Sequence, residues 1–237
     1  MPTFYHSFPQ KARAKAINPT MPKPLSNICF CKISGRLLCM LNTELDEKVK
    51  SGELSKIVFA GGCFWCTEAS FNPEYGVVQA ISGYIGEGKP NPSYEEVSGG
   101  SSGYREAVCV YYKSDIGNLK KLLVNYWHHI DPTDERGQFA DKGSQYKTAI
   151  FYFTTEQKQV SEESKQILID SGKFEDKIVV PVLEGNPLKF YPAEDYHQEY
   201  ALKNPVNYEL YKKGSGRADF INMFWKKDTT FNNFLSS

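Results

Sequence analysis

The clearest element that the pattern of apolar and polar positions predicts is an amphipathic helix in the middle of the chain. Apolar residues recur there at spacings of three and four, which places them on one face of a helix: Leu119, Leu122, Leu123, Tyr126, Trp127 and Ile130. Ser114 or Asp115 can cap the start of this helix, and Asp131 followed by Pro132 ends it.

Short apolar runs predict strands around this helix, at residues 57–59, 77–82, 104–112, 148–153 and 177–184. Further helices are expected from Cys63 to just before Pro73, from Thr154 to Gly172, and over residues 193–203. The order β-α-β-β-α-β-α-β is typical of an α+β fold. We therefore expect a two-layer α/β sandwich with a ferredoxin-like split β-α-β core and long loops.

The two ends of the chain differ in composition from its middle. The first acidic residue is Glu44, and five prolines before it interrupt any long helix. We expect residues 1–50 to be a disordered or loosely packed extension, residues 51–213 to be the folded domain, and residues 214–237 to be a tail. A basic, acid-free leader is also typical of a transit peptide, and Met40 could instead begin the folded unit.

The overall charge gives no indication of a nucleic acid or membrane partner. The chain has 237 residues, with 28 Lys plus Arg balanced by 28 Asp plus Glu. No apolar run approaches the roughly 18 residues that a membrane helix needs. We expect a cytoplasmic monomer, or an organellar protein if the leader is a transit peptide.

The stretch GGCFWCTEASF, residues 61–71, holds the strongest candidate chemistry. If Cys63 lies in the first turn of a helix, the free N–H groups and the helix dipole should lower its pKa from about 8.5. Cys66 would lie one turn deeper on the same face, less activated but within reach. This spacing predicts that Cys63 attacks a substrate and that Cys66 resolves the product.

Three interpretations of this Cys-x-x-Cys pair are open: two buried structural cysteines, a zinc site completed by Cys29 and Cys31, or a redox dithiol. The residues between the cysteines, Phe64 and Trp65, would form a flat apolar pocket beside the nucleophile. Such a pocket suits a small apolar group, for example an S-methyl.

This stretch resembles the signature of the A-type peptide methionine sulfoxide reductases, G-C-F-W-[GC]-x-E. The similarity continues through GYIGEGKPNPSYEEVSGGSSGYREAV, HHIDPTDERGQFADKGSQYKTAI and YPAEDYHQEYALKNP, and covers roughly residues 54–211. The resemblance implies that residues 51–213 are a catalytic domain that reduces the S-epimer of methionine sulfoxide, in oxidised proteins and as the free amino acid. It also implies that no metal or organic cofactor takes part.

The resemblance assigns a role to each matched residue. Cys63 is the nucleophile, and Glu106, in phase with Val108 and Val110 on its strand, is the acid that protonates the substrate oxygen. The remaining matches are the oxygen-binding Tyr94 and Tyr146, Asp141 for the water network or the substrate amide, Phe64 and Trp65 around the methyl group, and Tyr200 and Tyr208 near the pocket.

Recycling departs from the pattern of many relatives, because no cysteine follows Cys109. Cys66 is then the simplest thiol to resolve a sulfenic acid on Cys63, with Cys29, Cys31 and Cys39 as further candidates. In a regular helix, the two Cβ atoms would lie about 5–6 Å apart, farther than a relaxed disulfide prefers. The resemblance implies thioredoxin as the regenerating reductant.

Overall fold

The computed structural model describes residues 35–71, 76–186 and 188–237, with side chains from residue 43 onward. The centre of the fold is a six-stranded sheet. Its strands are β1 (Leu54–Ala60), β2 (Val77–Gly86), β3 (Tyr104–Lys113), β6 (Ala149–Tyr152), β7 (Val182–Glu184) and β8 (Lys189–Pro192). Their order in the sheet is β7-β6-β1-β3-β2-β8. Two further strands, β4 (Gly137–Gln138) and β5 (Asp141–Lys142), form a separate pair.

Helices surround this sheet. They are α1 (Gly35–Lys50), α2 (Phe64–Ser70), α3 (Tyr94–Ser98), α4 (Ile116–His128), α5 (Thr155–Asp170), α6 (Tyr200–Lys203), α7 (Pro205–Gly214), α8 (Arg217–Trp225) and α9 (Asn232–Ser236), with a 3₁₀ turn at Ser144–Tyr146. Within the described part of the chain, no helix combines the length and apolar character that crossing a bilayer requires.

The connections form two interlocked split β-α-β units. Strands β1 and β2 are both antiparallel to β3, so they are parallel to each other with β3 between them and α2 connecting them. In the same way, β3 and β6 both flank β1 and are joined through α4. The predicted α+β fold with a split β-α-β core is confirmed.

The alternation along β3 separates two apolar clusters. Val108, Val110 and Tyr112 face the cluster that holds α4, α5 and the C-terminal helices, whereas Ala107, Cys109 and Tyr111 face the other cluster, to which α1 contributes Leu45. Glu106 has the phase of the first set. The sheet therefore directs this carboxyl group toward the side of α4, α5 and the C-terminal helices rather than toward the side of α1.

Most predicted elements are present, with differences at the C-terminal side. Asp115 is the N-cap of α4, and the Thr154 hydroxyl accepts the Gln157 N–H at the start of α5, as the sequence predicts. Of the predicted strand 177–184, only residues 182–184 pair, because the Val179 N–H instead donates to the Pro132 carbonyl. The predicted helix over 193–203 forms only at its end, as α6, and β8 was not predicted.

The segment after residue 213 packs into the larger cluster. Trp225, Phe231 and Phe234 are buried there beside α4, and Lys120 donates to the Ser237 hydroxyl. The predicted boundaries of the extension, domain and tail stay predictions. Residues 1–34, including Cys29 and Cys31, lie outside the described part, as does the side chain of Cys39.

Candidate active site

The candidate site begins at the turn that connects β1 to α2. Gly62 has a φ of +83°, and a Cβ atom built on it would lie 2.5 Å from Gln138 Cβ. Only glycine suits both the left-handed backbone and the lack of space. The turn therefore brings Cys63 to the start of α2 at the edge of the buried core.

The two cysteines occupy the N-cap and N3 positions of α2. Cys63 is the N-cap, with φ −53° and ψ 122°, and the Cys66 N–H donates to its carbonyl at 3.2 Å. N-cap and N3 side chains lie next to each other in capping boxes, so this placement brings the two thiols together. The Cβ separation expected for two cysteines inside a helix does not apply, since the backbone of Cys63 is not helical.

Glu106 occupies the anion position at the start of this helix. Its Oε2 accepts the Phe64 N–H at 3.0 Å, which is one of the N–H groups that a helix start leaves without an intrahelical partner. The carboxyl group is 2% exposed, and burial raises its pKa to about 8 even though the Phe64 N–H lowers it. Glu106 is therefore mainly protonated at neutral pH.

The distribution of acidity between the thiols differs from the prediction. Burial, the hydrogen bond with Cys66 and negative charge at Glu106 raise the pKa of Cys63 well above its ordinary value. The hydrogen bond from Cys63 and the positive charge of Arg217 lower the pKa of Cys66 to about 7, against the effect of burial. The expectation that the helix start lowers the pKa of Cys63 is wrong for the free site, mainly because the thiol is buried.

Trp65 is held in place by three aromatic neighbours. Tyr200 stacks on it with ring centroids 3.8 Å apart, Tyr211 meets it edge-on at 5.9 Å, and its Nε1 donates to His197 Nδ1 at 3.0 Å. Phe64 is 1% exposed and packs against the His197 ring at 5.0 Å. Three of the predicted pocket residues, Phe64, Trp65 and Tyr200, are thus together.

The predicted polar residues also surround the cysteines. Burial and the nearby Glu106 raise the pKa of Tyr94 to about 12, and they raise the pKa of Tyr146 further. Cys63 also raises the pKa of both phenols. Asp141, on β5, accepts a hydrogen bond from the Tyr211 hydroxyl. Burial raises the pKa of Asp141, whereas that hydrogen bond and Arg217 lower it.

Tyr208 lies beside Cys66, and burial and Cys66 raise the pKa of its phenol. This places the predicted pocket residue next to the second thiol. Two residues near the thiols were not predicted: Tyr211, whose hydroxyl interacts with Cys63 and Asp141, and the buried Arg217. Neither residue belongs to a motif or to a periodic apolar pattern. Tyr211 lies at the end of the recognised similarity, and Arg217 lies beyond it. His197 is 2% exposed and orients Trp65.

Cys109 is the third described free cysteine and is buried within β3. Among the described residues, no three His, Cys, Asp or Glu side chains cluster as a metal site requires. The zinc alternative that used Cys29 and Cys31 falls outside the described part of the chain.

Comparison with known families gives a match over most of the chain. The family model described as peptide methionine sulfoxide reductase matches residues 55–229. The peptide methionine sulfoxide reductase MsrA of Bacillus subtilis is 49% identical over 167 residues, which are 70% of this chain and 93% of that protein. The MsrA of Listeria monocytogenes is 43% identical over 173 residues, 73% of this chain and 97% of that protein.

Solved structures agree with this match. Reduced Mxr1 from Saccharomyces cerevisiae superposes with a TM-score of 0.58 at 31% identity, covering 65% of this chain and 87% of that chain. Methionine sulfoxide reductase A of Corynebacterium diphtheriae gives 0.53 at 30% identity, covering 65% and 76%.

Proposed function

Because the chain belongs to the peptide methionine sulfoxide reductase family, we propose that it reduces the S-epimer of methionine sulfoxide with Cys63 as nucleophile and Cys66 as resolving thiol. The substrates are oxidised proteins and free methionine sulfoxide. The proposal depends on one observation, the convergence of two thiols and one buried carboxyl group at the start of α2.

Cys63 becomes a thiolate by giving its proton to Cys66. In the free site, the Cys63 thiol is hydrogen-bonded to the more acidic Cys66, which is mainly ionised just above neutral pH. Moving the shared proton to Cys66 leaves the negative charge on Cys63. The two aromatic side chains, Phe64 and Trp65, hold the substrate methyl group beside this sulfur.

The Cys63 thiolate then attacks the sulfoxide sulfur while Glu106 gives its proton to the oxygen. Tyr94 and Tyr146 donate hydrogen bonds to the same oxygen, and Asp141 binds the substrate amide or the water network. The oxygen moves to Cys63, so the substrate sulfur is reduced by two electrons to methionine and Cys63 is oxidised to a sulfenic acid.

Cys66 resolves this intermediate. Glu106, now a carboxylate, takes the Cys66 proton, and the Cys66 sulfur attacks the Cys63 sulfur as the S–O bond breaks. The leaving hydroxide takes the proton back from Glu106 and departs as water. A dithiol protein of the thioredoxin class then supplies two electrons to the Cys63–Cys66 disulfide.

The proposal is tested with a peptide that contains either epimer of methionine sulfoxide and a chemical dithiol as reductant. We expect the protein to form methionine from the S-epimer and the Cys63→Ser variant to form none, because serine cannot accept the oxygen. Cys109→Ser, which removes a buried thiol outside the site, is the matched control and should retain activity. Methionine formation by Cys63→Ser, or none by the wild type, would exclude the proposal.

A further inference from the structure

Glu68 is the one acidic residue in the stretch GCFWCTE, and the proposed function gives it no role. It lies on α2 one turn after Trp65 and is 8% exposed. Its Oε2 accepts the Glu199 N–H at 2.9 Å. The other oxygen, Oε1, is buried and has no hydrogen-bond partner among the described residues. The hydrogen bond of this buried carboxyl group therefore goes to the chain just before α6.

Glu199 has a backbone conformation that needs support from its surroundings. It is the N-cap of α6, with φ +52° and ψ 36°, in the left-handed region that residues other than glycine seldom occupy. Such a conformation persists where neighbouring contacts fix it. At a helix start the N–H group has no intrahelical acceptor, and Glu68 supplies one.

The chain before Glu199 is anchored separately. Ser82 on β2 donates its N–H to Gln198 Oε1 at 3.0 Å, and Gln198 Nε2 donates to the Ser82 carbonyl at 2.9 Å. Because the sheet already holds residue 198, the contact with Glu68 determines the direction in which the chain enters α6.

The residue after Glu199 connects this hydrogen bond to the candidate site. The Tyr200 ring stacks on the Trp65 ring, with centroids 3.8 Å apart and planes 8° apart. Two consecutive residues, Glu199 and Tyr200, thus contact two residues that are one turn apart on α2. The direction of the chain at Glu199 decides whether the Tyr200 ring meets Trp65 face to face.

We propose that Glu68 is a positioning residue for the methyl pocket, which holds the Glu199 N–H and so keeps Tyr200 stacked on Trp65. This inference rests on the proposed function, in which Phe64 and Trp65 enclose the substrate methyl group. It makes the preference for an S-methyl sulfoxide depend on the reach of the Glu68 side chain rather than on its charge.

The test compares two peptides that differ only in the sulfoxide side chain, one S-methyl and one S-ethyl, both as the S-epimer. The measured quantity is the ratio of kcat/KM for the S-methyl peptide to kcat/KM for the S-ethyl peptide, with a chemical dithiol as reductant. Glu68→Ala removes the acceptor, and we expect the ratio to fall by about fivefold or more, because a loosened pocket admits the additional methylene.

Two further variants separate reach from charge. Glu68→Asp keeps the carboxylate but is one methylene too short, so it should also lower the ratio. Glu68→Gln should keep the wild-type ratio, because its amide oxygen can accept the same N–H group.

Tyr200→Ala tests whether the effect passes through the stacked ring. It should lower the ratio, and adding Glu68→Ala to it should cause little further change, since residues that act through each other are not additive. Additive losses would contradict this route.

The matched control is Asp115→Ala. The exposed Asp115 also accepts a backbone N–H at a helix start, that of Asn118 at 3.1 Å in α4. Its loss removes a similar hydrogen bond away from Trp65 and should leave the ratio unchanged.

A second measurement needs no substrate. The Trp65 Nε1–H donates to His197 Nδ1 at 3.0 Å and gives its own NMR signal. We expect this signal to move in Glu68→Ala and Glu68→Asp and to stay in place in Glu68→Gln.

A wild-type ratio in folded Glu68→Ala would overturn the inference, and so would an equal loss of activity toward both peptides. If Glu68→Ala does not fold, the same outcomes in Glu68→Asp decide it. Loss of the preference in Glu68→Gln would also overturn it. A wild type that forms no methionine, or that does not prefer the S-methyl peptide, would contradict the proposed function instead, and the Trp65 signal would still test the contact.

Discussion

Cys109 and the Cys63–Cys66 pair are both buried, but their chemical surroundings differ. Cys109 is 2% exposed and faces the α1 side of the sheet, where burial raises its pKa to about 12. Cys66 is 3% exposed, and its pKa is lowered to about 7. Burial alone therefore does not determine which thiol can ionise.

The lower pKa of Cys66 comes first from the hydrogen bond that Cys63 gives it, and the way in which the cation near each thiol is paired adds to the difference. Lys56, which acts on Cys109, forms an ion pair with Asp46 at 2.7 Å, and Asp46 opposes its effect. Arg217, which also acts on Cys66, donates to the carbonyl oxygens of His129 and Gly61 and lies over the Phe139 ring, and none of the ion pairs of the described residues includes it. A buried cation with no carboxylate partner remains able to stabilise a thiolate.

The largest effect expected within this comparison is at Glu106, the carboxyl group that distinguishes the surroundings of Cys63. Glu106→Gln cannot donate an acidic proton, and we expect methionine formation to slow by about 10²- to 10⁴-fold. In the wild type, the rate should fall as the pH rises through about 8, because Glu106 then loses its proton. That alkaline limb should be absent from the variant.

Single-turnover rates over a range of pH measure both expectations. Glu95→Gln is a suitable control, since Glu95 is a carboxyl group at the exposed start of α3. An unchanged rate in Glu106→Gln would remove this residue from the mechanism.

A smaller effect is expected from making the surroundings of Cys109 resemble those of Cys66. Asp46→Asn leaves Lys56 without its carboxylate, so the pKa of Cys109 should fall by about one unit. The Cβ chemical shift of isotopically labelled Cys109, followed against pH, reports this change. Glu44→Gln, which removes a carboxylate paired with Lys48, should leave it unchanged. A pKa of Cys109 that does not respond to Asp46→Asn would mean that cation pairing does not explain the contrast.

Local patterns predicted much of the fold and the Cys63–Cys66 pair, whereas most of the other candidate site residues followed from the family resemblance. The apolar stripe of α4 and the caps at Asp115 and Thr154 act within a few residues, so the sequence contains them directly. The phase of Glu106 with Val108 similarly follows from strand alternation.

Long-range contacts could not be predicted in this way. Arg217 reaches the Gly61 carbonyl across 156 positions, and Glu106 reaches the Phe64 N–H across 42. The fold also buries Cys63 and brings Glu106 near it, and both effects raise the pKa of this thiol, which local patterns do not show. Similarly, α7 and α8 bury few residues of their own, so their periodicity was weak.

The central claim, that Cys63 accepts the oxygen and Cys66 resolves it, is tested most directly by mapping disulfides after one turnover with the S-epimer and no reductant. The account predicts a Cys63–Cys66 disulfide with Cys109 still a free thiol, and a trapped sulfenic acid on Cys63 when Cys66 is replaced by serine. A disulfide from Cys63 to any other cysteine would contradict it, and so would a Cys66→Ser variant that keeps full multiple-turnover activity when thioredoxin is the reductant.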